Sequence, residues 1–296
     1  MINRRSFAKV LSGMTALASL PIARGQSAGV SFKFSMMAST LGRGLKPDAL
    51  IGMVADAGYQ GIEFNGEYQD WSDDEIRQFI QLKRARGITC DCMAERPGPG
   101  IVGAADPRAS QDAFPKKMAE LIAAAKKIEA TGIVIRPGAR LLNFSRETQH
   151  DTCIDNLKRA GDMVANENIN LLLENGDREQ NPTGYLTSAA EGIEIVHRAG
   201  HPKVKMLYDF FHAQIEEGGL IKKLDKANMD VITHVHIADN PGQHEPGTGE
   251  INYPNIMRAL VRNGFSGWVA MEYRPTKDPV QSVRESREML LQAAKS

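Results

Sequence analysis

Charge of one sign is missing from this 296-residue chain: 36 lysines and arginines face 36 aspartates and glutamates, for a formal net charge of zero. No global field then draws the chain toward nucleic acid or an anionic membrane surface, so the expected partner is a small molecule. Cysteine is scarce as well. Cys90, Cys92 and Cys153 cannot all pair, and the first two lie too close along one apparent strand to bridge each other, so buried thiols are expected and not a disulfide framework. No G-x-G-x-x-G follows the first predicted strand, which argues against an open dinucleotide-binding sheet. No low-complexity linker interrupts residues 29 to 296, and the composition leaves a homo-oligomer open.

Long apolar runs are also lacking, with one exception near the start. Val10 to Ile22 is apolar, follows Arg4-Arg5-Ser6-Phe7-Ala8-Lys9, and precedes small residues around Gly25 to Gly29. Paired arginines, Phe7 two residues on and a run too short for a comfortable span resemble a twin-arginine export signal over residues 1–28. The expectation is a protein that folds in the cytoplasm, where a metal could be loaded, and is then exported to the periplasm with no membrane span left after processing.

What is present beyond residue 28 is an alternation of short apolar runs with longer amphipathic ones, the pattern of βα units around a parallel sheet. Strands are predicted over 31–37, 61–65, 88–94, 133–136, 169–175, 204–212, a β-branched run from Ile232, and 268–273. Helices are predicted over 47–57, 73–86 capped by Ser72, 115–130, 145–166, 188–199, about 220–226, 253–263 and 279–294. Eight strand–helix pairs in one stretch of this length predict an α/β fold, a single-domain (β/α)8 TIM barrel over residues 29–296. The connection 95–114 is longer than it needs to be, as binding lids often are.

Four successive units each deliver one polar residue near a strand's C-terminal end: Glu174 in LLLEN, Asp209 in LYDFFH, His236 in HVHIAD and Glu272 in AMEY. They recur at about 30 residues, one βα unit, so all four arrive at one rim. Three carboxylates sharing a pocket raise each other's pKa unless a cation lies between them. The set therefore predicts one divalent metal ion, Mn2+, Mg2+, Co2+ or Zn2+, bound by Glu174, Asp209, His236 and Glu272. His234 shares a strand face with His236 and is expected to be a buried residue behind it. Glu174 and Glu272 are the candidate catalytic pair: a polarised carbonyl acidifies the neighbouring C–H, and one glutamate removes the proton while the other returns it, through a metal-stabilised enediolate. Candidate substrate-binding residues are His212, His244, Glu63 and Arg274.

The run ADNPGQHEPGTGEINYP, with DFFH before it and WVAMEYRP after it, resembles the hydroxypyruvate isomerase family within the xylose isomerase-like barrels, and more distantly the ketose 3-epimerases. That resemblance implies that the residues matching Glu174, Asp209, His236 and Glu272 bind one divalent metal and that the two glutamates exchange the proton. Two positions depart from the pattern. His236 is a ligand type shared with the ketose epimerases, where hydroxypyruvate isomerases can carry glutamine, and Gln243 stands where relatives tend to have arginine. The expected activity is thus an isomerase or epimerase on a hydroxy-carbonyl compound, hydroxypyruvate-like or a keto-sugar. Its rivals are a lyase or dehydratase acting on an oxidised sugar at the same site and a non-catalytic periplasmic sugar-binding protein.

Overall fold

The structure, a computed structural model, describes residues 30–98 and 102–296. The export signal expected over residues 1–28 lies outside them. Eight parallel strands run β1 (Lys33–Met36), β2 (Gly61–Asn65), β3 (Thr89–Ala94), β4 (Gly132–Ile135), β5 (Asn170–Glu174), β6 (Val204–Asp209), β7 (Ile232–Ile237) and β8 (Trp268–Met271). Each pairs with its sequence neighbour from β2 round to β8, and β8 pairs with β1. The last gap, β1 to β2, is spanned by a single bridge between Met37 and Glu63 and by Gln60, whose N–H donates to the Phe34 carbonyl. The TIM barrel is therefore nearly closed.

Helices cover the outside: α1 (Ala38–Leu41), α2 (Pro47–Asp56), α3 (Asp73–Arg86), α4 (Ala113–Ile128), α5 (Arg146–Met163), α6 (Ala189–Ala199), α7 (Phe210–Glu216), α8 (Tyr253–Arg262) and α9 (Pro279–Lys295). Local chemistry sets their starts. Ser72 and Glu75 form a reciprocal capping box at α3, Ser145 and Ser188 accept N–H groups at the heads of α5 and α6, and Pro47, Pro254 and Pro279 occupy first-turn positions. The main core lies between strands and helices. A smaller apolar layer inside the barrel, made of Cys92, Ala94, Val134, Leu172 and Leu207, forms the floor below the C-terminal rim. All three cysteines are free and buried.

Several boundaries move. Strand six was expected to run to His212, but β6 stops at Asp209 and Phe210 begins α7. The Asp209 carboxylate caps that helix by accepting the His212 N–H at 2.9 Å, which an uninterrupted apolar reading of YDFFH hides. The helix expected around 220–226 is two short 3-10 turns, Leu220–Lys223 and Lys226–Asn228. The second half of the expected lid is pinned down: the Ala104 and Ala105 N–H groups bond to the Arg136 and Pro137 carbonyls. There Gly103 approaches Gly138 so closely that a Cβ would fall 2.4 Å from the Gly138 Cα.

Candidate metal centre and its cavity

The C-terminal ends of β5, β6 and β7 and the residue just past β8 bring Glu174, Asp209, His236 and Glu272 together, with one ligand-type atom of each within 4.8 Å of the others. His236 is the hub. Its Nδ1 lies 2.5 Å from Glu272 Oε2, 3.2 Å from Glu174 Oε1 and 3.7 Å from Asp209 Oδ2. Nδ1 of His236 and Oε2 of Glu272 are both buried and, although they face each other, neither makes a well-aligned hydrogen bond among the described residues. Two buried lone-pair-bearing atoms pressed together without an aligned hydrogen bond, inside a ring of carboxylates, are what a metal ion's ligands look like. Against burial, the charges of Glu272 and Glu63 hold His236 protonated well above the ordinary histidine range. Burial, together with Glu174 and Asp209, raises Glu272 despite the opposing pull of His236. A cation among these groups would relieve both conditions.

Two of the four, His236 and Asp209, are positioned by neighbours. His236 Nε2 is 2.9 Å from Glu63 Oε2, and that bond aims Nδ1 into the cavity. Asn175 and Asp209 bond reciprocally through backbone and amide at 3.1 Å, tying the end of β5 to the end of β6. Below them lies a second buried cluster of Glu63, Asp91 and His234. A register shift between β2 and β3 leaves Asp91 unpaired and turned inward, where the Ser35 hydroxyl donates to it at 2.5 Å. Burial and the adjacent Glu63 push Asp91 well above the usual carboxylate range, whereas His236 holds Glu63 below it against burial. The negative charge of the pair therefore sits on Glu63. His234, 3.7 Å from Asp91, is kept neutral by burial, its pKa lowered to about 4.

Above the metal centre opens a cavity of about 420 Å³. Glu174, His236, Glu272, His212 and Gln243 all line it. His212 fits its expected place: Asp177 holds Nδ1, and Nε2 stands 3.7 Å from Asp209 Oδ2. Burial opposes its charge, but Asp209 and the Asp177 bond outweigh that and lift its pKa to about 10.

The other three candidates for substrate contact sit elsewhere. Glu63 is not at the mouth; it is fully buried beneath His236. His244 Nδ1 bonds to the Arg274 carbonyl at 2.8 Å, while the exposed Arg274 returns its N–H to the Gln243 carbonyl. Together they tie the loop after β7 to the segment after β8. That loop is further organised by Asp239, which accepts the Gly247 and Ile251 N–H groups, and by Glu245, which receives Ser282 and Thr276. Missed in the sequence were Asn175, Asp177, Asn65 and Arg136. Arg136, in VIRPG at the end of β4, carried the one signal that could have been read, a charged residue closing an apolar strand.

The sequence profile described as "Xylose isomerase-like TIM barrel" matches residues 51–293. The chain belongs to that family. It is 30% identical over 222 residues to hydroxypyruvate isomerase of Escherichia coli strain K12, an alignment covering 75% of this chain and 85% of the relative. It is 29% identical over 232 residues to 2-oxo-tetronate isomerase of Cupriavidus necator, covering 77% and 86%. Among solved structures, D-psicose 3-epimerase in the presence of D-fructose superposes with a TM-score of 0.75 at 19% identity, over 90% of this chain and 100% of that one, and so shares the fold. With these relatives the chain is an enzyme of the isomerase class.

Proposed function

We propose that the protein is a metal-dependent isomerase or epimerase of a hydroxy-carbonyl compound, hydroxypyruvate-like or a keto-sugar, that moves a proton at the carbon beside a carbonyl. One observation carries the reading: Glu174, Asp209, His236 and Glu272 converge on one point with His236 Nδ1 and Glu272 Oε2 buried and without an aligned hydrogen bond among the described residues. Three carboxylates and an imidazole suit Mn2+, Mg2+, Co2+ or Zn2+. Such an ion, when bound, would polarise the substrate carbonyl and acidify the adjacent C–H.

The chain's own residues divide the remaining work by exposure. The side chains of Asp209 and His236 are 2% exposed, whereas those of Glu174 and Glu272 are 21% and 23% exposed. The two glutamates both face the metal position and are the most exposed of the four, so they are the ones that reach substrate. One accepts the proton from carbon and the other returns it at the neighbouring carbon or the opposite face. His212, held by Asp177 and lining the cavity, orients a substrate oxygen. The names of the curated relatives, hydroxypyruvate isomerase and 2-oxo-tetronate isomerase, support the same reaction class. We further propose that residues 1–28 direct export to the periplasm; among the described residues no helix is long and apolar enough to cross a membrane.

The test is solvent deuterium exchange on a panel of hydroxypyruvate, 2-oxo-tetronate and ketohexoses with Mn2+ added. Label entering beside the carbonyl together with rearranged product is expected, and Glu174→Gln or Glu272→Gln should abolish both without lowering the melting temperature. Elimination products would favour a lyase. No exchange on any panel member by protein shown to hold Mn2+ would overturn the enzymatic reading in favour of a binding protein.

A further inference from the structure

We propose that Arg136 selects an anionic substrate by gripping its carboxylate while the metal centre works on the adjacent hydroxy-carbonyl. The inference rests on the isomerase reading above and narrows its substrate class to hydroxy-keto acids. Ile135 pairs with Leu173, so Arg136 and Glu174 are the next residues on neighbouring strands. Two residues earlier, Val134 and Leu172 pack together inside the barrel, and the period-2 pleat turns Arg136 and Glu174 to that same inner side. Both line the cavity, and Arg136 is the sole arginine or lysine among its described lining residues.

Its guanidinium lacks a counter-ion. Nη2 donates to Asn65 Oδ1 at 2.8 Å and to the Glu95 carbonyl at 3.4 Å, two uncharged acceptors, and among the described residues no carboxylate oxygen lies within 4.0 Å. The stretches outside the description, residues 1–29 and 99–101, contain no aspartate or glutamate. Nε is buried and has no acceptor among the described residues. A buried, unpaired N–H on a permanent cation is costly unless a ligand completes it, and a carboxylate matches the guanidinium fork where a sugar hydroxyl does not. Asn65 and the Glu95 carbonyl hold the fork in place beforehand, so little side-chain freedom is lost on binding.

The experiment measures calorimetric binding of two unreactive probes, D-glycerate and glycerol, to the Mn2+-loaded protein, beside kcat/KM for hydroxypyruvate and dihydroxyacetone. Arg136→Gln should weaken D-glycerate binding and hydroxypyruvate kcat/KM about 10- to 100-fold, the effect of losing one charged hydrogen-bonding partner. Glycerol binding and dihydroxyacetone turnover should stay within twofold, and Arg136→Lys should recover part of the loss. Equal losses for anionic and neutral compounds, or none, would overturn the assignment. Arg136-dependent glycerate binding without turnover of any compound would sustain the anion site while refuting the isomerase reading. Turnover of neutral sugars with no glycerate binding would do the reverse.

Discussion

Replacing Glu63 by glutamine isolates what holds His236, the histidine of the proposed metal site, in place. The Glu63 carboxylate lies 2.9 Å from His236 Nε2, with side-chain exposures of 0% and 2%, so water does not screen the bond. Because Asp91 is pushed toward its neutral form by burial and by Glu63, the charge facing His236 belongs to Glu63. An anion on Nε2–H makes the imidazole a better donor through Nδ1 and fixes which nitrogen carries the proton. Glutamine keeps the size and an acceptor oxygen but removes the charge. Metal affinity should fall about 10- to 100-fold, equivalent to about 1.4–2.7 kcal/mol. Calorimetric titration of metal-free protein with Mn2+, with chelator competition for Zn2+, measures it directly. Glu63→Leu should lose the same affinity and in addition roughly 1–3 kcal/mol of stability, since the Nε2–H is then buried without an acceptor. An unchanged dissociation constant in Glu63→Gln, with the melting temperature preserved, would refute the claim that Glu63 works through His236.

Three further outcomes are expected. His234, whose pKa burial lowers to about 4, takes up a proton less readily folded than unfolded; its contribution to stability is therefore present above pH 6.5 and is lost as pH falls through 4. For the metal-free protein that loss amounts to roughly 3 kcal/mol, and urea titrations between pH 7 and pH 4 should show a shallower decline in His234→Asn; identical slopes would contradict it. Asn175→Ala breaks the reciprocal bond to the Asp209 backbone and should cost about 1–3 kcal/mol of stability and weaken Mn2+ binding, read by calorimetry beside thermal melts; unaltered Mn2+ binding would show that Asp209 needs no such brace. Finally, changing Arg4 and Arg5 together to lysine should keep the protein in the cytoplasm, and undiminished periplasmic recovery on fractionation would rule out a twin-arginine signal.

Much of the barrel was legible because its signals are local. Short apolar runs mark the strands, Ser72, Ser145 and Ser188 mark helix starts, and the recurrence of Glu174, Asp209, His236 and Glu272 at one βα unit follows from chain order alone. The rest depended on groups far apart in the chain. The end of β6 was misjudged because Asp209 serves both as helix cap and as a member of the candidate metal centre, and an apolar run cannot show that a carboxylate has stopped it. Glu63 is a candidate for substrate contact by sequence because its strand position allows either depth.

The sequence alone determined the architecture, the four-residue constellation and the family resemblance of the loop after β7, since each is written in spacing and composition. Only the tertiary structure decided how the surrounding groups are used. Barrel closure brings Glu63 of β2 beneath His236 of β7, 173 residues away, and a register shift turns Asp91 inward to meet His234. The same closure ties His244 and Arg274 to each other's loops, outside the cavity lining, and leaves Arg136 facing the cavity without a counter-ion among the described residues. Those outcomes depend on strand register and on the depth of each side chain in the barrel, which neighbours along the chain do not encode.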